Sequence, residues 1–312
     1  MFFAFIYYTM AITVKVYTLN AFSKKENGGS LAGVVLDADK VSEEEMQLVA
    51  KEVKLPVTVF VMKSTKSNAN FKFKFFTQNG EINLSGHATI AAFYLLLHKK
   101  IIKPGKYTQE TKAGILNIEI KSDKTVLMNQ NPPQFLDKIN KREFTSLLNI
   151  PNSVLSKELP IQIISTGIKD IFIPIVSLND LYAIKPDFDR IKKVSKKYGV
   201  VGFHLFTTET KFNDSTAHCR NLAPLYDVSE DSASGTSNAA LGCYLFKHGI
   251  ISGDKCKNMI FEQGYIMNKP SEIKVSLDIQ DNEIIEVRVG GSASNINEQD
   301  VEVEVPVKPD DD

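Results

Sequence analysis

Two short stretches hold residues whose types and spacing suit acid–base chemistry on an anion. The first, Glu81 to Ala88 (EINLSGHA), sets a serine, a glycine and a histidine in succession. The second, Glu230 to Ser237 (EDSASGTS), sets two adjacent carboxylates ahead of Ser-Gly-Thr-Ser. Each leads into an apolar run, Ile90 to Leu97 and Ala239 to Phe246. Ser85 and Ser234 therefore read as N-caps, whose side-chain oxygens accept from the first free N–H groups of a helix. Gly86 and Gly235 let a ligand approach the backbone closely. Unpaired N–H groups and the positive dipole end make each helix start a seat for a carboxylate. His87 falls in the first turn, where the dipole favours the neutral imidazole, a form that can donate or accept a proton. Asp231, taken alone, reads as a loop carboxylate in a stabilising place near a helix start. A small acid held between the two helix starts would lie between acid/base groups on opposite walls. Removing a proton beside its carboxylate and returning it elsewhere is the chemistry such a geometry suits.

The elements that must position these groups repeat. Laid over each other without a gap, Glu81–Ile102 and Glu230–Ile251 match at Glu81/Glu230, Ser85/Ser234, Gly86/Gly235, Ala91/Ala240, Leu96/Leu245, Ile101/Ile250 and Ile102/Ile251. The constant offset of 149 residues is close to half of the 312-residue chain, which points to a duplicated domain. Two unrelated apolar helices would share Ala and Leu, but not a carboxylate and a Ser-Gly at fixed distance. Both helices are apolar on nearly every face and so must be surrounded. Neither reaches the roughly 20 apolar residues that span a bilayer. Around them the pattern is strand-rich, with strands predicted at Val14–Leu19, Ala32–Leu36, Val57–Met62, Phe71–Phe76, Ile115–Ile120 and Thr125–Met128. After the break at Asn131-Pro132-Pro133 the theme returns at Ile161–Ser165, Ile171–Ile175, Val200–Thr207 and Thr216–Arg220. Beyond the second helix, strands are predicted at Met259–Glu262, Ile273–Leu277 and Ile284–Val289. One buried helix per half among many strands is an α+β arrangement. The expected division is an extension over residues 1–11, domains over 12–131 and 132–295, and a loose acidic tail over 296–312.

Composition narrows the function classes. Lys+Arg and Asp+Glu stand at 37 each, so no global field favours nucleic acid or an anionic membrane. Cys219, Cys243 and Cys256 have neither metal-like spacing nor an even count, which fits a reduced, cytoplasmic setting.

The chain resembles the phenazine-biosynthesis isomerase (PhzF-like) family of the diaminopimelate epimerase-like superfamily. The resemblance is carried by GGSLAGVVL (Gly28–Leu36), FFTQNGEINLSGHATIAA (Phe75–Ala92), RNLAP (Arg220–Pro224), EDSASGTSNAAL (Glu230–Leu241), EQGYIMNKPSEIKV (Glu262–Val275) and VGGSAS (Val289–Ser294). It implies two similar domains, each a β-barrel around a central helix, with a cleft between them. It also implies a cofactor-independent, often homodimeric isomerase acting on a small carboxylic acid. The positions matching the family's motifs are His87 and Asp231 as catalytic groups. Ser85, Gly86, Ala88, Gly235, Ser234, Thr236 and Ser30 fall in the surrounding substrate-binding motifs. The chain departs from the pattern where Leu55-Pro56-Val57-Thr58 aligns, since Val57 takes the place of the family's catalytic Glu. Valine carries no proton, so a small-acid binding protein derived from the family is the alternative expectation. Racemisation or epimerisation ranks third, because the racemases place a cysteine at the start of each axial helix and this chain has serines.

Overall fold

The computed structural model describes residues 9–23, 28–226 and 228–306. The first half runs β1 (Thr9–Ala21), β2 (Ser30–Val35), α1 (Glu43–Val53), β3 (Thr58–Lys63), β4 (Phe71–Thr77), β5 (Gly80–Ile82), α2 (Gly86–His98), β6 (Gly105–Thr111), β7 (Gly114–Ile120) and β8 (Val126–Asn129). The second runs β9 (Gln134–Ile139), α3 (Lys141–Leu148), β10 (Ile161–Ser165), β11 (Lys169–Pro174), α4 (Leu178–Ala183), α5 (Phe188–Tyr198), β12 (Gly202–Thr207), β13 (Ala217–Ala223), β14 (Val228–Asp231), α6 (Gly235–Lys247), β15 (Met259–Gln263), β16 (Ser271–Gln280), β17 (Glu283–Gly291) and β18 (Ala293–Pro306). Among the described residues no helix is long and apolar enough to cross a membrane.

The two halves have the same strand pairing. In the first, β1–β2 is antiparallel, β2–β3 parallel, β3–β4 antiparallel, β4–β6 parallel, and β6–β7–β8 antiparallel. In the second, β10–β11 is antiparallel, β11–β12 parallel, β12–β13 antiparallel, β13–β15 parallel, and β15–β16–β17 antiparallel. This is one α+β unit used twice, a sheet curled around a central helix. α2 and α6 are the two axes, and each is buried along its length, as an all-round apolar helix requires. Phe93 and Leu96 of α2 share one continuous core with Tyr244 and Leu245 of α6. Close packing is strict at Gly242, where an added Cβ would meet Met259 Cε and Val275 Cγ1 at 2.9 Å. Satellite cores cover the outer sheet faces. Met46 and Val49 of α1 pack on Phe60, Val301 and Val303. Phe144 of α3, Leu181 of α4 and Ile191 of α5 pack on Ile171 and Phe203.

The expected ends are corrected. Thr9, Met10 and Ala11, assigned to an extension, begin β1, while residues 1–8 lie outside the described residues. The supposed loose tail is the longest strand of the fold up to Pro306: β18 pairs with β1 from Thr9↔Pro306 to Ala21↔Ala293. Residues 307–312 lie outside the described residues. The division between lobes is also not a single cut. β8 of the first unit pairs with β17 of the second. β18, at the end of the second half, crosses back to pair with β1 of the first, in the place that β9 takes beside β10 within the second. Val301 and Val303 are buried in the α1 core, while Glu302 between them is exposed.

Because β18 closes that core, Val301→Ala together with Val303→Ala should lower unfolding free energy by about 2–4 kcal/mol, and Glu302→Ala by less than about 0.5 kcal/mol. Denaturant titration checks this; equal, negligible losses would return the segment to a loose tail.

Candidate active site

The N-termini of α2 and α6 open into one cavity of ≈ 790 Å³, lined from both units by Gly86, His87, Asp231, Gly235, Thr236 and Ser30 among others. Ser85 caps α2: its Oγ accepts from Ala88 N–H at 3.5 Å and lies 3.2 Å from His87 Nδ1. A hydroxyl that accepts from Ala88 has its own proton free for Nδ1, which leaves the imidazole proton on Nε2. Nε2 is buried without a partner. Burial lowers the His87 pKa, against an upward pull from the charge of Asp231. The ring is thereby kept neutral, and Asp231 is close enough to be felt.

The second helix start is built differently. Ser234 stands at the N-cap of α6 but makes no capping bond. Its hydroxyl donates instead to Asp231 Oδ2 at 2.7 Å, while Asp231 Oδ1 accepts from Ala233 N–H at 3.1 Å. Gln263, at the end of β15, holds this loop from below. Its Nε2 donates to the Asp231 carbonyl at 2.7 Å and to Ser234 Oγ at 3.1 Å, and its Oε1 accepts from Asn238 Nδ2 at 2.6 Å. Ser232 donates to the Gly29 carbonyl at 3.0 Å, tying the acidic loop to the glycine loop of the first unit. Glu230 is occupied by a bidentate pair with buried Arg220, both contacts at 3.0 Å. Arg220 in turn donates to the carbonyls of Leu181 and Ile184, so this carboxylate holds the loop. Its repeat partner Glu81 pairs with Lys112 at 3.1 Å.

Two of the sequence-derived positions lie behind the cavity wall. Ser85 acts as the cap and Ala88 is fully buried, and neither is among the lining residues. Val57 is 6 % exposed and belongs to the first core, although Leu55 and Pro56 beside it reach the cavity. The three cysteines are buried, and none lines the cavity. Burial pushes the Cys243 thiol up to about 12 and raises Cys219 as well, the reverse of what a thiolate base needs.

One group escaped the sequence reading. Asp170, the second residue of β11, lines the cavity while only 1 % exposed. Its Oδ2 accepts from Ser237 Oγ at 2.6 Å. Burial raises its pKa from the ordinary 3.8 to about 6; the Ser237 hydroxyl, the Gly202 N–H and the Asn221 amide pull it down, and the Asp231 charge adds to the rise. The available signal was a lone acid inside the otherwise apolar stretch Ile171 to Ile175 and its lead-in.

The fold is that of PhzF-family proteins, and comparison with known proteins agrees. Residues 19–299 match the PhzC-PhzF family, phenazine biosynthesis-like protein, and the chain belongs to that family. An uncharacterized isomerase of Clostridium acetobutylicum is 31% identical over 288 residues, covering 89% of this chain and 94% of that protein. The crystal structure of a PhzF-family phenazine biosynthesis protein of Bacillus anthracis superposes with a TM-score of 0.82 at 29% identity, covering 93% of this chain and 99% of that one. A hydroxyproline epimerase of Agrobacterium vitis shares the fold at a TM-score of 0.55 and 12% identity, covering 94% of each chain.

The raised Asp170 pKa sets a stability window. Between about pH 4 and pH 6 the folded chain holds a proton that the unfolded chain has released, so stability falls as pH rises through that range. Asp170→Asn should therefore stabilise the fold at about pH 8, by up to about 3 kcal/mol, with the gain fading toward about pH 4. Thermal unfolding at both pH values checks it, and a gain independent of pH would contradict the burial-driven shift.

Proposed function

We propose that the cavity binds a small carboxylic acid with an unsaturated apolar body and moves a proton between two of its carbons without a cofactor. The observation that carries this reading is the meeting of His87 and Asp231, from different units, beside two helix N-termini in one cavity. The substrate carboxylate is seated on the N–H groups of Gly86 and His87 and of Gly235–Ser237, favoured by the dipoles of α2 and α6. Phe22, Ile90, Met128 and Val289 supply an apolar wall for the body. Asp231, fixed by Ser234 and Ala233, takes the proton from a carbon next to the carboxylate. Neutral His87 stabilises the charge that develops. Membership of a family whose relatives are named isomerases supports this reading.

A second reading keeps the binding and drops the turnover. It is favoured by Val57, which stands where the family resemblance puts a catalytic Glu and packs in the core.

One experiment separates them. The unconjugated dihydrobenzoic acid, with ring double bonds on both sides of the carbon bearing the carboxylate, is incubated with protein in deuterium oxide and followed by mass spectrometry and NMR. The isomerase reading expects carbon-bound deuterium with the wild type, none with Asp231→Asn, and a rate about 10²–10⁴-fold lower with His87→Ala. Binding of the acid by calorimetry with no carbon exchange would favour the binding protein. Gly235→Val should weaken binding in either case, since a Cβ there already meets Phe22 Cζ at 3.3 Å.

A further inference from the structure

The cavity holds a second carboxyl that the reading above leaves without a task. Asp170 comes from β11, on the wall that also carries Ser237 and Asn221. One of its oxygens is anchored: Oδ2 accepts from Ser237 Oγ at 2.6 Å, and Ser237 Oγ accepts from Asn221 Nδ2 at 3.1 Å. The Asn221 amide also lies 3.1 Å from His204 Nδ1, so the chain of polar contacts runs from the cavity to a buried histidine beside Phe172. The other oxygen, Oδ1, is buried with no hydrogen-bond partner. A buried acceptor left unsatisfied is destabilising, and a native structure that keeps one has a reason in strain, catalysis or a ligand.

We propose that Asp170 is the second proton-carrying catalytic residue of this site, giving a proton through Oδ1 to the bound acid while Asp231 takes one from it. The proposal rests on the isomerase reading and supplies the group that Val57 cannot. Three features support it. Asp170 and Asp231 lie in the wall of the same cavity, on β11 and β14. Asp231 has both oxygens filled by donors, as suits an ionised base, whereas Asp170 has one oxygen open. Burial keeps the Asp170 carboxyl partly protonated near neutral pH, with a pKa of about 6, in the range that suits a general acid. The groups facing it are the neutral Ser237 of α6 and Asn221 of β13, the Gly202 N–H of β12, and the charged Asp231 of β14. His204 beyond Asn221 is held neutral, its pKa pushed down to about 3 by burial.

The step balances. The Asp231 carboxylate takes the proton from the carbon bearing the substrate carboxylate, and the C–H electron pair moves into the adjacent double bond. That shift places electron density on a remote ring carbon, which takes the proton of the Asp170 carboxylic acid. The substrate is isomerised with no net change in charge, Asp231 ends protonated and Asp170 ionised. Exchange with solvent water resets both.

The test uses the full-length protein and the unconjugated dihydrobenzoic acid in deuterium oxide, with NMR reading deuterium at each ring carbon and the yield of the conjugated isomer. The wild type should form the conjugated isomer, with deuterium on the new saturated carbon. Asp170→Asn should separate the half-reactions: isomer formation falls by at least about 10²-fold, while deuterium still enters the carbon next to the carboxylate through Asp231. Asp231→Asn should do neither. Ser237→Ala removes a donor that holds the Asp170 pKa down, so the loss of isomerisation at high pH should move to higher pH. Asp170→Glu should restore part of the isomer yield. Wild-type isomerisation rates in Asp170→Asn, or an unmoved high-pH limb in Ser237→Ala, would overturn this proposal and leave the isomerase reading standing. Equal loss of exchange and isomerisation in a folded Asp170→Asn, unrescued by Asp170→Glu, would make the residue structural and overturn it too. No exchange and no isomer with the wild type would overturn the parent reading and this one with it.

Discussion

A helix with no polar face has to be enclosed on every side, and that requirement governs this protein. α2 and α6 expose almost nothing along their lengths, so each needs a sheet curled around it. Enclosure satisfies side chains, but it cannot satisfy the first N–H groups of a helix, which have no partner within it. The chain leaves both N-termini at the edge of the enclosure, where they open into a shared cavity. The unpaired N–H groups that face the cavity are thus a by-product of the way the two cores are closed.

Duplication of the unit did not duplicate the chemistry. At α2 the capping serine serves the helix and the histidine beside it. At α6 the equivalent serine is drawn off to Asp231, and Gln263 and Asn238 hold the loop. One unit therefore presents a neutral imidazole and the other a pinned carboxylate. The two helix starts repeat, and the side chains beside them depart from that symmetry.

The sequence made much of this legible where pattern and physics agree. Ser-Gly before an all-apolar run located both axes, because such a run has only one way to be satisfied. His87 and Asp231 were readable because they lie within two turns of those helix starts. The rest failed for identifiable reasons. Val301, Val303 and Val305 alternate with Glu302 and Glu304, a half-buried strand pattern, yet the acidic composition and terminal position suggested a tail. The partner of that strand, β1, lies at the far end of the chain, so nothing local announces the pairing. Ser234 looked like a cap because a serine before a helix usually is one; here its oxygen accepts from Gln263 Nε2 while its proton goes to Asp231, and only geometry shows that the distant Gln263 takes the place of the helix N–H. Asp170 follows Lys169 at the start of a strand that is apolar from Ile171 on, and no local rule says whether such an acid meets a cavity or a salt bridge.

The return of β18 to the first unit bears on the site itself. His87 and Asp231 belong to different units, so their separation is set by how the units are joined. Three ties fix it: β8 paired with β17, β18 returned to β1, and the Ser232 to Gly29 hydrogen bond between two residues that line the cavity. Backbone pairing across the join resists sliding, because a shift of one residue would turn every side chain to the wrong face. Acid–base groups must be held within hydrogen-bond reach of the atoms they serve. A hinge of a few loose residues between two lobes would not hold that tolerance; a shared sheet with a returning strand does, and β18 is part of how the site keeps its shape.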